Sequence, residues 1–265
     1  MKRVLIVCVN FNTYKELDRF VVSIEKAAMN TDNVQVEVIV ADNSIVKQPI
    51  ETSKLDKVRV NVVENDNIGY LGGAQSVINK VDTSKYDYIG ISNVDLLLSE
   101  NFFSVLSKVD LKEDIAWIAP QIYSYEENRD INPKVINRYS KKKLSLLYYM
   151  YKFPILFYLY LLTAYKRKKL VPKYHEMDIY AGHGSFMLLT SNFFKEYKKI
   201  EYPIFLFGEE LYLAELIRNK GMKVRYVPSL RVEDNEHVST SRMKKKFYFK
   251  CNTESIKYIL DTFYE

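Results

Sequence analysis

The chain has 265 residues, 48% of them hydrophobic, with only 8 Gly and 7 Pro; this excludes low-complexity and collagen-like classes. The length suits one large α/β domain, or one domain with an insertion. Its 39 basic and 33 acidic residues leave a net charge of +6, modest for a nucleic-acid binder, and no nucleic-acid motif accompanies it. The basic residues are clustered, at Lys141-Lys142-Lys143, Lys166-Arg167-Lys168-Lys169 and Lys244-Lys245-Lys246. Such clusters suit an anionic surface, a lipid leaflet among them, or else a solvated helix face. Two cysteines, Cys8 and Cys251, show no metal-ligand spacing, so a disulfide framework is not expected and a reducing compartment is. The first apolar run is too short and too β-branched for a signal peptide, and the expected location is cytoplasmic.

In chain order, strand signals fall at 3–9, 34–41, 58–63 and 86–92. Between the first two, Leu17, Phe20, Val21, Ile24 and Ala28 recur at helical spacing over residues 14–29, with Thr13 as the N-cap. Residues 72–82 are a second expected helix. Strands alternating with crossover helices predict a mainly parallel sheet covered on both faces, a Rossmann-like half over residues 1–95. Further on, Trp117 sits in a core-like strand, residues 124–140 are polar and loop-like, and strand character returns over 177–190. A helix is expected at 209–220, stopped by Gly221, then a strand at 223–227 ended by Pro228. The last twenty residues read as helical.

Each of the first four strands ends in short polar residues or glycine: Asn10-Phe11-Asn12; Asp42-Asn43-Ser44; Asn65-Asp66-Asn67-Ile68-Gly69 with Gly72-Gly73; and Asn93-Val94-Asp95. Each alone is ordinary turn chemistry. In a parallel sheet, however, those ends lie side by side and converge on one crevice. No Gly-x-Gly-x-x-Gly follows the first strand and no Gly-Lys-Ser/Thr loop occurs, so the dinucleotide and P-loop classes are excluded. Asp42 suits a base N–H or a ribose hydroxyl, and Gly69 and Gly73 allow close backbone approach at a helix N-terminus. Asp95 suits a hard cation bridging two phosphates. A nucleoside diphosphate sugar with Mg2+ or Mn2+ satisfies all of these.

The ordered set Val-Asn-Phe-Asn, Asp-Asn-Ser, Asn-Ile-Gly-Tyr-Leu-Gly-Gly and Asn-Val-Asp resembles the family 2 glycosyltransferases of the GT-A fold, in the bacterial rhamnosyltransferase-like branch of surface-polysaccharide synthesis. Like that branch, the chain reads Asn93-x-Asp95 where other members read Asp-x-Asp, which implies either a weakened metal site or Asp95 as its principal protein ligand. The resemblance spans residues 3–110 and 178–242. It implies nucleotide-sugar contacts from Asn10, Asn12, Asp42, Asn67, Gly69, Gly73, Asn93 and Asp95. In Phe207-Gly208-Glu209-Glu210 it implies Glu210 as catalytic base with Glu209 as its partner, and two carboxylates in one cleft raise one pKa toward useful base strength. A metal or diphosphate role falls to His237, and an acceptor-side role to His183 and Gly184. The implied activity is inverting transfer of a sugar from a UDP- or dTDP-linked donor to a glycan or polyprenyl-linked acceptor.

The middle of the chain lies outside the resemblance. Residues 144–163 are almost wholly apolar and rich in Tyr, with Lys152 and Pro154 inside and basic clusters on both sides. The length would span a bilayer, but one crossing would put Asp95 and Glu210 on opposite sides. A broken interfacial helix pair with Pro154 at the break is expected instead, on the inner face of the membrane; packing onto the domain or another subunit is the alternative. The expected organisation is a nucleotide-sugar half (1–123), a membrane-associating insertion (124–176), an acceptor and catalytic half (177–242) and a C-terminal helix (243–265). Two rivals stand beside it: a sugar nucleotidyltransferase, which normally has a Gly-rich basic loop that Asn10-Phe11-Asn12-Thr13 lacks, and a non-catalytic membrane-associated scaffold.

Overall fold

A computed structural model describes residues 1–50, 55–163, 174–234 and 243–264. The basic cluster at 166–169 and His237 lie outside them. Within the described residues one ten-stranded sheet organises the chain. Its first half is the parallel run β3 (Arg59–Glu64), β2 (Val34–Asp42), β1 (Lys2–Asn10), β4 (Tyr88–Asn93), in that spatial order. The four strand ends carrying the polar clusters are therefore neighbours. Next come β9 (Phe186–Thr190), antiparallel to both of its neighbours, then β6 (Ile115–Ser124), β10 (Lys223–Asp234) and the short β5 (Leu96–Leu98). β7 (Arg129–Asp130) pairs with β6, and β8 (Met177–Ile179) with the start of β10.

β1 shows why the apolar runs are uninterrupted. Val4, Ile6 and Cys8 face one core, while Leu5, Val7 and Val9 face the other. Period-2 alternation with helices on both faces buries every position. The first core is closed by α1 (Tyr14–Met29), through Leu17, Phe20, Val21 and Ile24, and by α3 (Phe102–Ser107). The second is closed by α2 (Tyr70–Ile78), α6 (Ser191–Glu196), α7 (Glu209–Asn219) and α8 (Lys245–Phe263). Both cysteines are free and buried, and Trp117 is fully buried in β6.

Two boundaries and the chemistry of one cap differ from the sequence reading. The second helix runs from Tyr70 to Ile78; it starts early because Gly69, at φ +84°, caps it three residues before the Gly72-Gly73 pair. Thr13 occupies the N-cap of α1 without a capping side-chain bond; its N–H and hydroxyl instead donate to Asn10 Oδ1 at 3.2 and 3.0 Å. The strand expected to stop at Pro228 continues to Asp234, with a register shift against β6 between Val227 and Arg231. That irregularity accommodates the proline and carries β10 onward to pair with β5.

The apolar middle forms α4 (Lys141–Lys152) and α5 (Pro154–Thr163), bent by 108° at Phe153. Ser140 caps α4 by accepting from the Lys143 N–H at 3.2 Å. Among the described residues no single helix is long and apolar enough to cross a membrane. α4 packs on α8. A buried ion pair ties this side together: Arg138 donates to both oxygens of fully buried Glu215, at 2.7 and 3.2 Å, and to the Phe263 carbonyl at 3.0 Å.

Candidate active site

A cavity of about 600 Å³ opens over the carboxyl ends of β1, β2 and β4. Its wall takes Phe11 and Thr13 after β1, Asn43 after β2, Asn67, Gly69 and Tyr70 around the start of α2, and Asn93, Val94 and Asp95 after β4. From the second half of the chain come His183, Gly184 and Ser185 in the β8–β9 loop, Phe205 to Phe207, Glu209 and Glu210 at the start of α7, and Asp234 at the end of β10. Strand ends of an α/β sheet are where such folds place ligands.

The β1 and β2 ends are joined by a hydrogen-bonded polar layer. Asn10, fully buried, donates from Nδ2 to Asp42 Oδ1 and to Ser44 Oγ, both at 3.1 Å. Asp42 also accepts from Tyr14 OH at 2.7 Å and from the Ser44 N–H at 3.1 Å. Burial pushes its carboxyl up, but the bonds from Ser44 and Tyr14 outweigh that and hold it below the usual range. Asn12, at φ 58°, accepts from the Ile45 N–H at 3.1 Å while its own N–H donates to Ser44 Oγ at 2.8 Å. Asn10, Asn12 and Asp42, expected to touch the nucleotide, are tied to Ser44 and to one another across the β1 and β2 ends, with Asn12 exposed. Asn43 is the residue of that cluster which reaches the wall.

Asn43 also positions the glycine loop. Its Nδ2 donates to the Gly69 carbonyl at 2.8 Å. Gly69 has two reasons to be glycine: its positive φ, and a Phe205 carbonyl oxygen that would lie 2.0 Å from an added Cβ. Gly73 lies below the wall, where an added Cβ would come within 3.0 Å of Asn43 and Val9. Across the cavity, Tyr70 OH donates to the Gly184 carbonyl at 2.9 Å and links α2 to the β8–β9 loop. Burial raises the Tyr70 phenol, helped by the nearby carboxylates of Glu209, Asp95 and Glu210, so it stays a donor. The His183 N–H donates to Asn132 Oδ1 at 2.7 Å, and its ring Nδ1 lies 2.8 Å from Ser185 Oγ.

Glu209 and Glu210 open α7 behind Phe207 and Gly208, both at positive φ. Tyr202 OH holds this turn by donating to the Phe207 carbonyl at 2.7 Å. An added Cβ on Gly184 would stand 3.4 Å from Glu209 Oε1 and from Glu210 Oε2, so both carboxylates converge on that loop. Burial, and then the charge of Glu210, push Glu209 up to about 8. Removal from water dominates in raising Glu209, the buried member of the pair, while Glu210 is half-buried.

Two wall residues were not singled out from the sequence. Asp234 is buried at the end of β10, where its register partner is Leu96, the residue after Asp95. Lys134, which follows the Asn132-Pro133 peptide, faces the cavity, and its charge acts on Glu209. Asp234 lay beyond the point where Pro228 was read as the end of the strand, and Lys134 belongs to the middle that no motif covered. Among the described residues no group of three or more His, Cys, Asp or Glu side chains is arranged to hold a metal. Asp95 and Asp234 nevertheless supply two hard carboxylate donors on adjoining strand ends. Mg2+ is usually held by one or two carboxylates plus substrate phosphates, and this donor set fits a cation of that kind.

A solved structure of GalNAc-T7 with UDP, GalNAc and Mn2+ is similar to this chain with a TM-score of 0.62 at 15% identity, covering 98% of this chain and 48% of that one. The fold is that of the GT-A glycosyltransferases. The chain spans about half the length of this GT-A neighbour. No protein-family model matches the chain, and no curated protein matches it.

Proposed function

We propose that the chain is an inverting glycosyltransferase. It would move a sugar from a UDP- or dTDP-linked donor to the hydroxyl of a polyprenyl-linked glycan in surface-polysaccharide synthesis, as in the rhamnosyltransferase-like branch, at the inner face of the cell membrane. One observation carries the reading: Asp95 and the Glu209–Glu210 pair, more than a hundred residues apart in sequence, line one cavity with the Asn67–Gly69 loop. The GT-A fold supports it, as does the UDP and Mn2+ in the GalNAc-T7 structure.

In this reading the β2 and α2 ends hold the nucleotide: Asn43 and Asn67 offer side-chain amides, and the N-terminus of α2 offers backbone N–H groups toward phosphate. Asp95 and Asp234 would hold Mg2+ or Mn2+, with His237 as a further candidate. Such a cation, when bound, supplies positive charge to the diphosphate leaving group. Glu210 takes the proton of the acceptor hydroxyl as its oxygen bonds to the anomeric carbon and the bond to the diphosphate breaks on the opposite face. Glu209 keeps its own proton at neutral pH, which spares the pocket a second buried negative charge. His183, Gly184 and Lys134 border the acceptor side.

The test is donor binding and hydrolysis across UDP-, dTDP- and GDP-sugars with Mn2+, Mg2+ or EDTA, followed by transfer in Glu210→Gln. Metal-dependent preference for one donor is expected, and Glu210→Gln should retain donor binding while transfer falls about 10²–10⁴-fold. Donor binding lost together with activity in a folded Glu210→Gln protein would refute the base assignment. Pyrophosphate release from a nucleoside triphosphate and a sugar phosphate would favour the nucleotidyltransferase; no binding of any donor would favour the scaffold.

A further inference from the structure

α5 contains no charged residue. A helix that is apolar all round is ordinarily buried, yet Ile155 is 70% exposed, Leu162 69% and Leu159 52%, with Leu146 of α4 at 60%. Among the described residues its attachment is aromatic: Phe157 stacks on Tyr151 at 5.7 Å and meets Phe249 of α8 edge-on at 5.4 Å. Beside this ridge, between the α4–α5 elbow and the first turns of α8, lies a groove of about 550 Å³. Lys152, Lys245, Lys246 and Lys250 line it, with Glu254 as the one acid. Glu254 is 3.8 Å from Lys250 Nζ, whereas Lys245 and Lys152 stand over the rings of Tyr158 and Tyr148, at 5.9 and 5.3 Å.

We infer that this groove is a binding site for the phosphate headgroups of anionic lipids, with α5 seated beside it at the boundary between headgroups and acyl chains. The inference rests on the membrane part of the reading above, not on the transfer chemistry. Three physical points single out this occupant. Ten residues rise about 15 Å, half of a hydrocarbon core of about 30 Å, so α5 suits lying in the interface and not crossing it. Tyrosine rings and lysine stems beside an apolar ridge match the chemistry of the headgroup layer. A free phosphate would account for the lysines and leave the bare helix unexplained. A second copy docked by two-fold symmetry would cover the helix but set the lysine groove against itself.

The experiment is co-sedimentation of the full chain with phosphatidylcholine vesicles, with and without phosphatidylglycerol, at low and high salt. The chain is expected to pellet with the anionic vesicles and to be released by salt. The triple variant Lys152→Glu, Lys245→Glu, Lys246→Glu should lower partitioning on the order of a hundredfold, about fivefold for each lysine. The variant Ile155→Ser, Leu159→Ser, Leu162→Ser should lower it by roughly tenfold or more. All six positions are exposed, and unchanged far-UV circular dichroism and melting midpoint confirm that both variants fold. Failure to pellet overturns the inference, as does pelleting that the lysine variant retains. Full displacement by inorganic pyrophosphate would make the groove a soluble-anion site. A serine variant that loses dimers in light scattering and keeps its vesicle binding would make the ridge a contact between copies. Donor binding by the unmodified chain is a separate measurement, so failure of the transfer reading and failure of this one are distinguishable.

Discussion

Residues 4–9 of β1 and the helix α5 are both uninterrupted apolar segments, and the fold treats them in opposite ways. Every side chain of the strand segment is buried, alternate residues facing the two cores on either side of the sheet. No described side chain of α5 is buried, and Phe157 and Tyr158 link it to the aromatic cluster of α4 and α8. The difference lies in cover, not in hydrophobicity. A strand inside a sheet with helices on both faces receives two partners, whereas a helix turned by 108° at its first residue leaves most of its circumference to whatever lies outside the chain.

The sharpest way to break this comparison is a pair of truncations. Leu5→Ala removes a fully buried side chain and should cost about 4 kcal/mol in chemical denaturation. Leu162→Ala, at 69% exposure, should change stability by less than about 0.5 kcal/mol. Equal costs would mean that α5 is covered in solution. Next in size is Gly69→Ala. Its positive φ and the Phe205 carbonyl, 2.0 Å from the new Cβ, predict a loss of about 2 kcal/mol together with weakened nucleotide binding. Wild-type melting and nucleotide affinity in this variant would show that the donor edge is not clamped as described.

A third effect is a slope with pH. Glu209 has a folded pKa of about 8 against an ordinary 4.5, so the folded state binds the extra proton. Stability from this group is fully present below about pH 4.5 and is lost as pH rises toward 8. Between those values wild type should lose stability steadily with rising pH relative to Glu209→Gln. Parallel profiles for the two proteins would show that Glu209 is not held protonated. α4 and α5 contain no Asp or Glu, so no such slope is expected from the serine variant used for vesicle binding.

Much of the donor edge was legible because its determinants are local. Strand period, the apolar stripe of α1 and the polar run at each strand end are written within a few residues of one another, and the four strands stand in the expected neighbourhood. Other parts were legible only in type. The Asp42-Asn43-Ser44 cluster announces a polar strand end, but which of the three faces a ligand depends on Tyr14 and Asn10 reaching Asp42 from other elements, and Asn43 takes the wall. Glu209 and Glu210 are adjacent and alike in sequence; the fold buries Glu209 and raises its pKa, and leaves Glu210 half-buried. Asp234 was hidden by the ordinary rule that proline ends a strand, which the irregular register of β10 evades.

By itself, the sequence determined the alternation of strands and helices, the two-faced burial of the sheet, the chemistry of its strand ends and the break at Pro154. These follow from backbone sterics and from side-chain periodicity over short distances. The tertiary structure alone decided that Asp95, Asp234, Lys134 and the Glu209–Glu210 pair share one cavity, that Asn10 and Tyr14 both reach Asp42, and that four lysines from two helices border one apolar ridge. Those outcomes depend on which elements pack together across more than a hundred residues, and on the water each side chain loses there, quantities that no local pattern encodes.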